Sequence, residues 1–496
     1  MNLFTFLLSW TPVLLLAVLA VACKRSALEL SLYGLGFTAS LAYLAFKTPV
    51  SVILLAGLDG VLATLPLLLV VLAGILLSNL LVAAGALDRL VAWFLQGLRH
   101  PRHRHLFISL GIGNFLEGAS VIAEPLVAPM LRAAGVNPAG AASLAVIGYA
   151  GLMSLEMAGI IITVLATVTG LPLNELAAAT AWLSVPAVLA MAAITPWYLP
   201  KEDGGWRLLP AALGSGLLVS LVALAVTLGA GVALSGMAGG LALMAALLLI
   251  GSRRLPWNRT LGRDLLPFAC ILLPLLLVNT VPRLQALTSR QWVFELRLVP
   301  MHRITLTPLF SAYLYLFLAL GVALAVFRGV PRRPVLAAGL RQGWRALTAM
   351  GLFGAMGQII AYSGYSEGFA GLNQAHNIPW VLATGLEGYT GSWYPIFVPL
   401  LGWVGTFLTG YGVASLMLFG ELQVHAAGLL KVSAVYLAAG LTVGASLGSI
   451  SSPFKIALAA PLCGALGQEG RILRGTIPLG LAASLLIGWI LWLWCG

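Results

Sequence analysis

Apolar runs separated by short polar breaks dominate the sequence. A run of about 20 apolar residues is long enough to cross a bilayer as a helix. The pattern predicts spanning helices at residues 3–22, 28–46, 176–199, 208–228, 232–250, 265–281, 306–327, 347–362 and 477–494. With the interrupted runs described next, it predicts an all-α polytopic membrane protein of roughly 12–14 transmembrane elements.

Two apolar segments carry glycines, prolines and carboxylates that an ordinary membrane helix does not use. The first is 111–129, with Glu117 and Glu124; the second is 384–423, with eight glycines, two prolines and Glu387. Backbone groups freed by glycine and proline are tolerated at membrane depth only where protein or a wet cavity satisfies them. The segments share Leu-Glu-Gly, at 116–118 and 386–388. Corresponding interruptions in two parts of a chain indicate a transporter's binding site.

Three further apolar runs contain polar interruptions. The run 432–462 is broken at 444–453, within the interrupted segment 444–456, and the run 139–168 is broken by Ser154 and Glu156. In the run 50–84, Asp59 and Gly60 predict a short element followed by a full helix, with Asp59 as a cap or loop residue.

Composition excludes a soluble domain. The 496 residues are 60% hydrophobic and 8% charged, whereas soluble domains carry about 25% charged residues. The net charge of +12 does not indicate nucleic acid, because basic residues cluster in breaks such as Lys24-Arg25 and 328–345, as cytoplasmic loop charges do. The four scattered cysteines predict neither a disulfide framework nor zinc. We expect no metal and no cofactor.

The breaks divide the chain into three parts. Residues 1–200 form an N-terminal membrane repeat that contains 111–129, and the polar break 200–206 ends it. Residues 201–345 supply connecting spans and basic loops. Residues 346–496 form the C-terminal part of a second repeat, with 384–423 and 444–456.

Several motifs, in order along most of the chain, resemble those of the lactate permease family. The stretches that carry the resemblance are 115–119 (FLEGA) with Pro125, 168–171 (VTGL), 401–405 (LGWVG), 407–410 (FLTG), 418–420 (LFG), Leu422-Gln423, and Ile450 with Ser452-Pro453, Ile456-Ala457, Gly467 and Glu469. The likeness is densest from 384 to 475.

The resemblance implies a secondary transporter of 2-hydroxymonocarboxylates, lactate and glycolate, driven by proton symport. It implies the fold of the ion transporter superfamily, with two inverted repeats that each contain a re-entrant hairpin and a broken helix. The implied location is the bacterial cytoplasmic (inner) membrane, as a multi-pass protein. The implied partners are a small organic anion, H⁺ and the lipid bilayer. Whether the protein forms a homodimer is left open by the resemblance.

A small 2-hydroxy acid needs donors and a cation for its carboxylate. Ser451 and Ser452 precede Pro453 at a predicted helix start, whose free N–H groups favour an anion. Lys455, one turn later, either pairs with the carboxylate or extends to the membrane interface. Candidate partners of the substrate hydroxyl are Thr409, Ser415, Thr390 and Ser392; bonds to their own helix carbonyls are the alternative.

Buried carboxylates are the candidates for proton coupling. Glu117 and Glu387 are the first candidates, because burial favours a neutral acid that exchanges its proton near neutral pH. Their alternative role is a structural clamp on hairpin N–H groups. Glu124 and Glu156 follow by the same reasoning.

The sequence departs from the family's pattern at 121–124, 411–416 and 454–455, within the predicted site. This leaves open a sodium-coupled transporter of another organic anion or a dicarboxylate on the same fold. An intramembrane enzyme is disfavoured, because no Gly-x-Ser-x-Gly and no His-Glu-x-x-His motif occurs.

Overall fold

The computed structural model describes residues 3–23, 25–96, 98, 100–200, 202, 205–251 and 258–496. Lys24, together with Lys201, Asp203 and Gly204 of the polar break, lies outside the described residues. The N-terminal part contains α1 (Leu3–Ser9), α2 (Thr11–Ala17), α3 (Ala27–Leu44), α4 (Val50–Ala83), α5 (Ala86–Gln96), α6 (Pro101–Leu106), α7 (Gly113–Gly118), α8 (Glu124–Ala133), α9 (Pro138–Ala150), α10 (Ile160–Thr169) and α11 (Leu173–Ile194).

The remaining elements complete a helical architecture with one small hairpin. The middle part contains α12 (Leu209–Ala230), α13 (Ser235–Gly251), α14 (Arg259–Thr280), α15 (Pro282–Arg290), the antiparallel strands β1 (Phe294–Leu296) and β2 (Ile304–Leu306), and α16 (Ala312–Val326). The C-terminal part contains α17 (Arg332–Ala361), α18 (Ile378–Thr390), α19 (Tyr394–Thr409), α20 (Gly412–Leu430), α21 (Ala434–Gly448), α22 (Pro453–Ala459) and α23 (Glu469–Cys495).

Long apolar helices confirm the prediction of a polytopic membrane protein. In the described part of the chain, nine helices are long and apolar enough to cross a membrane, and the bent α1–α2 pair makes a tenth if it forms one span. The 12–14 expected elements exceed this number because several of them are helices below spanning length. The interrupted segments yield Pro138–Ala150, Met157–Thr169 and Pro453–Cys463, and the span expected at 306–327 is the shorter helix Ala312–Val326.

The predicted interruption at Asp59 and Gly60 is wrong. α4 runs unbroken through both residues for 34 residues. Gly60 instead allows α4 and α17 to pack backbone against backbone, since a Cβ there would lie 2.2 Å from the carbonyl oxygen of Gly354. A glycine inside an apolar run therefore marked a helix crossing.

Five helix breaks divide the other interrupted segments. They lie at residues 119–123, between α7 and α8; at 151–159, between α9 and α10; at 391–393, between α18 and α19; at 410–411, between α19 and α20; and at 449–452, between α21 and α22. The last two are held together by close packing of α19 on α21, where a Cβ on Gly444 would lie 2.0 Å from the carbonyl oxygen of Pro399.

Candidate substrate site

A cavity of about 540 Å³ lies where the N-terminal and C-terminal breaks meet. From the N-terminal side it is lined by Glu117, Ile122, Glu124, Met153, Met157 and Ile161. From the C-terminal side it is lined by residues 407–413, 453–455, Ala457 and Leu458. Exposed Arg25, Ser26, Gln342 and Arg345 also line it, so the cavity reaches the surface on their side.

Lys455 places a buried positive charge on the wall of this cavity. Its side chain is 8% exposed. Lys455 Nζ donates to Tyr149 Oη at 2.7 Å and lies 3.2 Å from Glu124 Oε1. Tyr149 Oη in turn donates to Glu124 Oε1 at 2.5 Å. These contacts join α22, α9 and α8, so Lys455 does not extend to the interface.

Three carboxylates accompany this single lysine. Glu117 Oε1 accepts from the amide of Ala123 at 2.7 Å, across the break at 119–123. Glu124 Oε2 and both carboxylate oxygens of Glu156 are buried without a hydrogen-bond partner in the described structure. Glu156 does not line the cavity itself, but it is next in sequence to Met157, which does and whose φ of 51° is in the left-handed region. An excess of buried acid over base is costly unless protons or ligands neutralise it.

The sequence is similar to known proteins along most of its length. A family model described as L-lactate permease matches residues 5–251 and 264–494. The chain belongs to the L-lactate permease family. The glycolate permease of Escherichia coli (strain K12) is 25% identical over 514 residues, which cover 90% of this chain and 88% of that protein. The L-lactate permease of Streptococcus iniae is 25% identical over 462 residues, which cover 88% and 94% of the two chains.

A shorter stretch is more similar to another relative. The L-lactate permease of Escherichia coli (strain K12) is 35% identical over 144 residues, 28% of this chain and 26% of that protein. The resemblance predicted from the motifs is confirmed. This permease is a transporter, and the expectation that it is not an enzyme is confirmed with it.

Most of the predicted hydroxyl groups of the permease bond to backbone, and only one of their residues lines the cavity. Thr409 Oγ1 donates to the carbonyl of Gly405 at 2.7 Å, and of this set Thr409 alone lines the cavity. Bonds to backbone carbonyls are also made by Ser415 (Gly402, 2.9 Å), Ser451 (Thr476, 3.1 Å) and Thr390 (Leu386, 2.6 Å). Ser452 Oγ accepts from the amide of Lys455 at 3.4 Å and caps α22. The alternative role of structural bonding therefore fits these residues.

The structure does not bring Glu387, Thr390 and Ser392 to the cavity. Glu387 and Thr390 lie near the end of α18, and Ser392 is exposed in the turn that follows. The neighbouring ring of Tyr389 packs on Phe6, with centroids 5.6 Å apart. Only the first Leu-Glu-Gly, through Glu117, contributes to the site that the geometry supports.

Sequence reasoning missed a second buried pair, Asp59 and His302. His302 Nδ1 lies 2.5 Å from Asp59 Oδ2, and His302 Nε2 lies 2.9 Å from the carbonyl oxygen of Thr167. Both neighbours accept hydrogen bonds, so a ring with a proton on each nitrogen satisfies both. Burial lowers the pKa of His302, but the hydrogen bond and charge of Asp59 outweigh it and raise the pKa above its ordinary value.

Two sequence signals pointed toward that pair. Asp59 is a carboxylate within an apolar run, and His302 lies in the longest polar stretch. They are 243 residues apart, so only the fold joins them. Nowhere in the described residues do three His, Cys, Asp or Glu side chains form a group arranged for a metal ion.

Proposed function

We propose that this permease carries small 2-hydroxymonocarboxylates, such as lactate and glycolate, by proton symport. The observation that carries the proposal is Lys455, a buried cation on the wall of a cavity formed by helix breaks. An anion that enters this cavity meets a positive charge away from lipid. Relatives named L-lactate permease and glycolate permease along most of the chain support the choice of cargo.

Coupling follows from the charge count around Lys455. One lysine neutralises one of the three acids, so Glu117 and Glu156 carry protons in the resting cluster. When the substrate carboxylate pairs with Lys455, Glu124 loses its counter-charge and takes up a proton. Release of the substrate on the other side returns Glu124 to Lys455, and the proton leaves. Substrate and proton therefore cross together.

Alternating access uses the four breaks around the cavity, at 119–123, 151–159, 410–411 and 449–452. Inverted repeats place a re-entrant hairpin and a broken helix in each of the parts 1–200 and 346–496, and their relative movement opens the site to each side in turn. The present cavity opens beside Arg25 and Arg345. Basic residues favour the cytoplasmic side, so this conformation faces the cytoplasm across the bacterial inner membrane.

Uptake by proteoliposomes tests this function. Purified protein is reconstituted, and entry of radiolabelled L-lactate and glycolate is measured with an imposed pH gradient, a sodium gradient or neither. We expect an inwardly directed proton gradient to accelerate entry and a sodium gradient to have no effect. Uptake that is accelerated by the sodium gradient but not by the pH gradient would reject proton coupling in favour of a sodium-coupled carrier. Absence of uptake of both anions would reject the cargo.

A further inference from the structure

The N-terminus of α20 opens into the cavity beside Lys455. α20 has 19 residues, and no side chain caps its first turn. Its first residues, Gly412 and Val413, line the cavity. The first N–H groups of a helix have no partner within the helix, and they favour an anion. The start of α22, by contrast, is already capped by Ser452.

A second observation at the same place indicates a missing partner. Glu124 lines the cavity and is 1% exposed, yet its Oε2 has no hydrogen-bond partner in the described structure. The hydroxyl of Tyr411, which also lines the cavity, is likewise buried without a partner there. The Tyr411 hydroxyl can donate a hydrogen bond to a ligand carboxylate, whereas Glu124 Oε2 is an acceptor that a proton would complete.

Met153 fixes the position of Lys455 relative to α20. Lys455 Nζ lies 3.8 Å from Met153 Sδ. A Cβ built on Gly412 would lie 3.3 Å from the Met153 Cε atom. The cation and the open helix start therefore flank the same side chain, and a carboxylate beside Met153 is within reach of both.

The rest of this wall is apolar. Ile122, Met157, Ile161, Leu408 and Phe454 line the cavity next to the charged cluster. The hydroxyl of Thr409 is already engaged with the backbone across the break. A carboxylic acid whose only apolar part is a methyl group would leave most of this surface hydrated, whereas a longer branched side chain would cover it.

We infer that the preferred cargo is a monocarboxylate with an apolar side chain larger than the methyl of lactate, bound through its carboxylate between Lys455 and the start of α20. The 2-hydroxyl is tolerated but is not required for binding. This inference rests on the proposed function, transport of a monocarboxylate with a proton through this site, and it shifts the preferred substrate from small 2-hydroxy acids to monocarboxylates with larger apolar side chains.

Uptake of matched acids tests the inference. Proteoliposomes are given radiolabelled L-lactate, 4-methylpentanoate or 2-hydroxy-4-methylpentanoate under one proton gradient. We expect both six-carbon acids to have kcat/KM at least about tenfold above lactate, and to differ from each other by less than about threefold. Lactate preferred over both, or a requirement for the hydroxyl, would overturn the inference and leave the proposed function intact. If none of the acids enters, both are rejected.

Adjacent isoleucines of α10 provide a variant and its control. Ile161 lines the cavity, whereas its neighbour Ile162 is fully buried and does not. Ile161→Ala should lower the ratio of 4-methylpentanoate to lactate uptake by about fivefold, because apolar contact is lost. Ile162→Ala removes the same atoms and should leave that ratio unchanged. An equal ratio in Ile161→Ala and wild-type protein would contradict the inferred position of the side chain.

Discussion

Two ion pairs of this permease differ in how completely their atoms are paired and in how deeply they are buried, since the Arg89 side chain is 40% exposed whereas Lys455 is buried. In the first, Arg89 of α5 holds Asp264 of α14 with both carboxylate oxygens bonded, Nε to Oδ2 at 2.7 Å and Nη2 to Oδ1 at 2.8 Å. Arg89 Nη1 also donates to the carbonyl of Ala84 at 2.8 Å. In this bidentate pair each carboxylate oxygen already accepts a hydrogen bond from Arg89, so no oxygen is left without a partner.

The second pair, Lys455 and Glu124, is incomplete. Glu124 Oε2 has no partner in the described structure, and Glu117 adds a second acid on the same cavity wall. A saturated pair stabilises one arrangement of helices, whereas an unsaturated pair beside a cavity changes partners at little cost. We expect that incomplete pairing, together with deeper burial beside a cavity, distinguishes a charge that takes part in transport from a structural one.

The largest effect is expected from the cation of the incomplete pair. Lys455→Met should lower uptake per folded protein by about 100-fold, as removal of one partner of a buried charge pair does. Uptake normalised to the monodisperse fraction on size-exclusion chromatography measures this. Lys455→Arg keeps the charge and should retain part of the uptake. Normal uptake in Lys455→Met would remove the cation from the mechanism.

Glu124→Gln should separate transport from its driving force. Because a glutamine cannot exchange a proton, uptake with and without a pH gradient should agree within about twofold, while exchange of internal for external substrate persists. The exposed Glu175 provides the control, since Glu175→Gln should keep full acceleration by the gradient. Acceleration that survives in Glu124→Gln would assign the proton to another group.

A substitution in the complete pair, Arg89 and Asp264, should lower the stability of the protein without lowering its transport rate. Asp264→Asn leaves the donors of Arg89 poorly matched and should cost about 1–3 kcal/mol. Thermal unfolding in detergent measures the loss, and uptake per folded protein should stay near wild type. A transport defect larger than the loss of folded protein would show that this pair also moves during the cycle.

The pH dependence of stability tests a third ion pair, His302 and Asp59, which is buried. Its pKa is raised in the folded protein, so its bond to Asp59 contributes stability that is present at acid pH and is lost as the pH rises through that raised value. The unfolding temperature of wild-type protein should exceed that of His302→Gln at pH 6, and the gap should shrink toward pH 9. A gap that widens with pH would mean that His302 is neutral in the fold.

Glu387→Gln should have the smallest effect. Glu387 lies outside the cavity lining, and substitutions away from buried polar networks usually change little. Proton-driven uptake should stay within about twofold of wild type. A loss as large as that of Glu124→Gln would restore Glu387 to the coupling mechanism and break the contrast between the two Leu-Glu-Gly tripeptides.

The sequence alone determined the class of protein, the family and most helix breaks. Apolar length fixes a spanning helix, and glycine, proline and serine at Gly410 and Ser452-Pro453 interrupt helices through local backbone geometry. A charge such as Lys455 within an apolar run must find a partner, so its importance was visible without coordinates. Local rules failed at Gly60, where the same residue type serves a helix crossing.

Which charges meet depends on the packing of distant parts of the chain. Lys455 and Tyr149 are 306 residues apart, and Asp59 and His302 are 243 apart; nothing in either neighbourhood specifies the other. The two Leu-Glu-Gly tripeptides are identical in sequence, yet Glu117 of the first lines the cavity and Glu387 of the second does not. The physical reason is that helix breaks and spans are encoded by neighbours along the chain, whereas pairing and burial depend on packing between distant helices.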